Sequence, residues 1–79
     1  MAKVSSQIEN INNNILSIYY SHKFEYCIRI DEEYYYLFFV ADDNHPNTRN
    51  IVHLVEKLGF ENYDKIGNHC YAHYYRIKI

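Results

Sequence analysis

Five histidines and two cysteines are the residues of this chain whose chemistry would be most specific if their spacing allowed it. The compact set is His69, Cys70 and His73. Imidazoles and a thiolate are the ligands of a tetrahedral zinc site. The surrounding stretch HCYAHYYRIK reads as a strand, which sets His69 and His73 on one face roughly 13 Å apart and turns Cys70 to the other. Side chains so placed close no tetrahedron. His45 and His53 fit no ligand spacing either. The chain is read as binding no metal and no cofactor.

Nucleophilic catalysis needs Ser or Cys beside a base, and a third group that orients the base. Cys27 with His22 or His73 is the one pairing to consider, and no local signature accompanies it. Carboxylates come in two clusters, Asp31-Glu32-Glu33 and Asp42-Asp43, at opposite ends of one expected strand. A strand of that length holds them roughly 25–35 Å apart, too far for a general acid–base pair. Two glycines cannot build a glycine-rich phosphate loop. The residues that could do chemistry therefore point away from an enzyme.

What remains is recognition chemistry. Within the stretch EYYYLFFVADD, residues 33 to 43, every position from 34 to 41 is aromatic or apolar. Successive side chains of a strand point to opposite faces, so this run puts large side chains on both. One face serves the core; the other needs a different explanation.

The elements that place these residues follow from periodicity. Ile8, Ile11, Ile15 and Ile18 mark one face of a helix over about 5 to 20, with Ser5 or Ser6 as N-cap and Glu9 completing a capping box. KFEYCIRI, 23 to 30, alternates as a half-buried strand. Asp31 to Glu33 turns into a second strand, 34 to 41. Residues 42 to 48 connect to a helix opened by Pro46, with Asn44 or Asn47 as cap, and ended by Gly59 after the stripe Ile51, Val55 and Leu58. Residues 60 to 68 read as loop with Phe60 in the core, and 69 to 78 as the last strand. The order α-β-β-α-β predicts one α+β domain over 1–79. It is a small antiparallel-rich sheet with two helices on one face, a ferredoxin-like pattern lacking its first strand. The missing strand leaves either three strands or a place for one from a second copy.

Hairpin register decides which stripe is buried. An even loop sets Ile30 opposite Tyr35, Ile28 opposite Leu37 and Tyr26 opposite Phe39, all in the core. Tyr34, Tyr36, Phe38 and Val40 then share the outer face with Arg29, Cys27 and Glu25, whereas the other register exposes Tyr35, Leu37 and Phe39 instead. The last strand adds Tyr74, Arg76 and Lys78 to the outer face. Tyr and Arg are enriched at binding hot spots. Three aromatic side chains of ~150–250 Å² each make a patch large enough to mark a partner site. Arg29, Tyr34, Tyr36, Phe38, Tyr74 and Arg76 are the candidate partner-binding residues.

Three resemblances bear on the reading. VEKLGF, 55 to 60, resembles the helix end of GCN5-type acetyltransferases, but the glycine-rich loop and further strands of that family are missing and no activity follows. The element order and aromatic-basic sheet resemble RNA-recognition motifs, although YYYLFFVA lacks the glycines of that family's central strand. In size, layout and lack of catalytic motifs the chain is similar to phage-encoded anti-CRISPR proteins, which implies steric inhibition of a host defence complex. The expected partner is a larger host protein or ribonucleoprotein complex. A homodimer of unknown intracellular role whose aromatic face is its own interface is the main alternative, and a single-stranded nucleic-acid binder using that aromatic-basic face another. A net charge of −2 makes nucleic acid the weaker choice. No stretch of ~18 apolar residues is available to span a membrane. With a polar N-terminus and two cysteines the chain is read as cytosolic, in the host cytoplasm if phage-encoded.

Overall fold

The computed structural model describes residues 2–42, 46–63 and 72–79, the first four of these as backbone only. In chain order the elements are α1 (Ala2–His22), β1 (Glu25–Ile30), β2 (Tyr34–Val40), α2 (Pro46–Lys57), β3 (Glu61–Asn62) and β4 (Ala72–Lys78). The strands form one sheet in the order β1-β2-β4-β3, every neighbouring pair antiparallel. This is the expected α+β arrangement of two helices and an antiparallel sheet. β4 lies directly against β2, so no strand is missing from the middle of the sheet.

The isoleucine stripe forms α1 as expected, but the helix is longer than 5 to 20. Ser5 and Ser6 lie inside it, not at its N-cap position. The stripe, not a cap, holds this asparagine-containing helix: Ile11, Ile15 and Ile18 are buried. Beyond His22 the chain leaves the helix at Lys23, which takes a left-handed φ of 51° and donates its N–H to the Tyr19 carbonyl at 2.7 Å. The first strand consequently begins at Glu25, two residues later than its alternation suggests.

Asp31 makes the hairpin. Its carboxylate accepts the N–H groups of Glu33 and Tyr34, each at 2.8 Å, and its own N–H donates to the Tyr34 carbonyl at 3.0 Å. An Asp side chain that bonds the backbone ahead of it substitutes for the glycine a tight turn would otherwise need. Only Glu32 and Glu33 are looped out, an even count. Ile30 accordingly pairs with Tyr35, Ile28 with Leu37 and Tyr26 with Phe39.

Tyr35, Leu37 and Phe39 of β2 are buried under the two helices, with Tyr75 of β4 beside them and Ile51 and Val55 of α2 above. Phe60 is buried against Tyr35, ring centroids 5.8 Å apart. Polar contacts tie helices to sheet: the Tyr35 hydroxyl donates to Asn12 Oδ1, the Tyr75 hydroxyl to Glu56 Oε2, and Gln7 Nε2 to the Lys78 carbonyl at 3.3 Å. Asn47 bridges the helices, donating from Nδ2 to the His22 carbonyl at 3.1 Å and meeting His22 Nδ1 through Oδ1 at 2.6 Å. It thus serves the C-terminus of α1; Asn44 lies outside the described residues.

Two further expectations change. Residues 60 to 68 are not all loop, because Glu61 and Asn62 pair with Arg76 and Tyr75 as a fourth, very short strand. Ile28 and Ile30 point to the helix side but stay 38% and 42% exposed. β1 is the edge strand of the sheet, and α1 covers it at Tyr26, where the Tyr19 ring packs 5.7 Å away. Of the last strand, 69 to 71 lie outside the described residues.

Candidate partner-binding face

Both helices occupy one side of the sheet, and the opposite side is built from alternate residues of the same strands. Arg29 of β1 stands across from Tyr36, Tyr36 from Arg76, and Phe38 from both Cys27 and Tyr74. All six candidate residues, Arg29, Tyr34, Tyr36, Phe38, Tyr74 and Arg76, therefore lie on this outer face and within reach of one another. The register makes that inevitable once Asp31 closes a two-residue loop.

Their rings form a connected layer. Tyr34 and Tyr36 have centroids 5.9 Å apart, and Phe38 and Tyr74 4.9 Å. Tyr63 joins the two pairs, 5.4 Å from Tyr36 and 6.1 Å from Tyr74. Cations cover the rings from above. The Arg29 guanidinium is 4.5 Å from the Tyr36 centroid, and that of Arg76 is 4.2 Å from Tyr34 and 5.4 Å from Tyr63. Lys78 stands 5.9 Å from Tyr34. Such contacts lie within the ~6 Å range of cation–π attraction.

The layer shields itself. Tyr34, Tyr36, Phe38, Tyr63 and Tyr74 are half-buried, not splayed into solvent. A shallow hollow of about 190 Å³ remains among Cys27, Arg29, Tyr36, Phe38, Tyr63 and Tyr74.

Charge on the face is arranged in zones. Arg76 Nε bonds Glu61 Oε1 at 2.9 Å, and this bond holds the guanidinium pKa above its ordinary value. Asp31, Glu32 and Glu33 are exposed at the hairpin end. The backbone N–H groups of Glu33 and Tyr34 hold the Asp31 carboxyl below its ordinary pKa, with smaller help from the Tyr36 hydroxyl and Arg29. The centre of the face is thus cationic and aromatic, and its rim is acidic.

Tyr63 and Glu61 are the members that sequence reasoning missed. Both fell in the expected loop, and a strand of two residues has no periodicity to read. The other constellations separate. Cys27 is on the outer face, whereas His73 stacks on Phe39 at 4.9 Å on the helix side, so they form no catalytic pair. His69, Cys70 and His45 lie outside the described residues. Among the described residues no group of three His, Cys, Asp or Glu could hold a metal ion, and no helix is long and apolar enough to cross a membrane. No protein-family model, curated protein or solved structure matches this chain.

Proposed function

We propose that this chain is a non-enzymatic protein-binding module that lays its outer sheet face on a larger protein. The observation that carries this reading is the ring layer capped by Arg29 and Arg76, on a sheet face opposite both helices. Tyr and Arg are the residues that most often dominate binding energy. Rings already held by their neighbours lose little freedom on docking, so less of the contact energy is spent on ordering. The half-buried rings form a firm platform whose guanidinium edges still offer N–H donors. A partner surface that is apolar with a few carboxylates complements it.

Similarity in size and layout to phage-encoded anti-CRISPR proteins supports the class of partner: a defence effector whose working surface is blocked by occupation. The direct test adds the purified protein to a set of purified CRISPR–Cas effector complexes and follows cleavage of target DNA. Stoichiometric inhibition that Arg76→Glu relieves, with the variant still folded, supports the reading. Inhibition that Arg76→Glu leaves intact removes the outer face from the mechanism. No binding to any effector removes the inhibitor class.

A single-stranded nucleic-acid binder is the second reading, favoured by the stacking of arginine on aromatic rings across a sheet. The acidic rim of Asp31, Glu32, Glu33 and Glu61 works against it. Binding to oligonucleotides that falls steeply with salt would favour that reading.

A further inference from the structure

β1 is a sheet edge, and half its backbone hydrogen-bonding groups face away from the sheet. The Asp31 N–H donates to Tyr34 across the hairpin. By the alternation of an antiparallel ladder, Arg29, Cys27 and Glu25 also direct their N–H and C=O groups toward β2. Tyr26, Ile28 and Ile30 therefore direct theirs outward. The side chains along this edge are exposed except Tyr26, which is half-buried. Natural edges are usually guarded by charge, proline or a bulge. This one carries Glu25 and Arg29, of opposite sign and four residues apart.

We infer that two copies of this chain join edge to edge through β1, antiparallel about a two-fold axis at Cys27, into one continuous sheet. The register follows from the charges. A two-fold axis normal to the sheet keeps both helix layers on one side and must pass through a residue of β1. At Cys27 it sets Glu25 opposite Arg29 of the second copy, and Arg29 opposite Glu25, two attractive pairs on the outer face. Moved to Ile28, the axis sets Glu25 opposite Asp31. Moved to Tyr26, it sets Arg29 opposite Lys23. Both shifts put like charges together, which is destabilising across strands. Arg29 rests one face of its guanidinium on Tyr36, and its N–H edge stays available for Glu25.

The hydrogen-bond phase agrees with this axis. Tyr26 of each copy lies opposite Ile28 of the other, and both are outward-facing residues able to exchange N–H and C=O bonds. On the helix side Ile28, 38% exposed in one copy, gains the Tyr26 ring of the other as cover. Cys27 meets Cys27 at a non-hydrogen-bonded position, where Cα atoms lie about 4.5 Å apart. That is within disulfide range. The joined outer faces lie side by side, so the dimer presents the aromatic layer twice, whatever that layer binds.

Pairing along five residues of each β1 buries less than the ~1,200 Å² of a standard interface. Association is therefore measured over a wide range of protein concentration, by sedimentation equilibrium. The expected result is a reversible doubling of the 9.6 kDa mass. Glu25→Arg and Arg29→Glu each weaken association about tenfold or more, because two pairs turn repulsive at once. Glu25→Arg combined with Arg29→Glu restores it. Circular dichroism confirms that each variant is folded. Diamide, which accepts the two thiol hydrogens, cross-links the Cys70→Ser protein into a reducible dimer, and Cys27→Ser prevents the cross-link. A monomer at all concentrations overturns the inference. So does a dimer indifferent to the single reversals, or one that diamide cannot link through Cys27.

Discussion

Tyr35 and Tyr36 are neighbours in the chain and opposites in the fold, so exchanging each for alanine tests the layered sheet most directly. Tyr35 is fully buried, packs on Phe60 and donates its hydroxyl to Asn12. Truncating a buried aromatic to alanine costs ~3–5 kcal/mol, and the lost hydrogen bond adds about 1. A chain of this length has a total stability of roughly 4–12 kcal/mol. Tyr35→Ala therefore removes from about a third to all of that stability. Tyr36 is half-buried and touches Arg29, Tyr34 and Tyr63. An exposed cation–π contact is worth ~0.5–1 kcal/mol and a ring pair a similar amount, with water replacing part of the loss. Tyr36→Ala then costs about 1–2 kcal/mol. At ~4–8 °C per kcal/mol its melting temperature falls by roughly 5–15 °C, and that of Tyr35→Ala by at least twice as much. Thermal and urea unfolding followed by circular dichroism measure both, with Tyr35→Phe as a core variant that still folds. Partner binding should follow the reverse order: Tyr36→Ala loses it and Tyr35→Phe keeps it. If Tyr36→Ala proves as damaging to stability as Tyr35→Ala, the outer layer is a second core and not a binding face.

Other outcomes follow from single sites. Burial, with a smaller contribution from Tyr26, raises the Tyr35 phenol to about 12, above its ordinary value of 10.0. The folded state therefore holds this proton more tightly than the unfolded chain. Its stabilising contribution is complete below pH 10 and disappears as pH rises through about 12; urea midpoints across that window should fall less steeply for Tyr35→Phe. Gly59 has φ of 105°, and an added Cβ would lie 3.1 Å from Ile77 Cδ1. Gly59→Ala should cost about 1–3 kcal/mol in chemical denaturation, whereas a value near zero would mean that the turn after α2 relaxes freely. Asn47→Ala removes both contacts to His22 and should cost about 1–2 kcal/mol, read the same way.

Much of this architecture was legible because isoleucines and aromatics obey simple periods. The spacing of Ile8, Ile11, Ile15 and Ile18 announces α1, and Pro46 and Gly59 bracket α2 with its final turn. The absence of glycine between Ile30 and Tyr34 favours an even hairpin without deciding it; the bonds from the Glu33 and Tyr34 N–H groups to the Asp31 carboxylate fix the register that carries the six outer-face residues. What was not legible depends on geometry beyond local pattern. No sequence rule says that β1 is the edge strand and that Ile28 and Ile30 stay exposed there. Nor does a two-residue strand announce itself, so Tyr63 and Glu61 entered the face only with the fold. The start of α1 was misplaced because Ser6 and Glu9 match a capping box by spacing alone, while the helical backbone already runs from Ala2.

The strict alternation along β2 has an evolutionary consequence. Tyr35, Leu37 and Phe39 answer to folding, and Tyr34, Tyr36 and Phe38 to whatever touches the outer face. Because the two sets interleave residue by residue, a change of binding preference can be explored at every second position while the fold is left alone. A one-residue insertion or deletion in the Glu32-Glu33 loop has the opposite character. Unless the turn changes type and absorbs the extra or missing residue, it slips the register by one and exchanges the two sets wholesale.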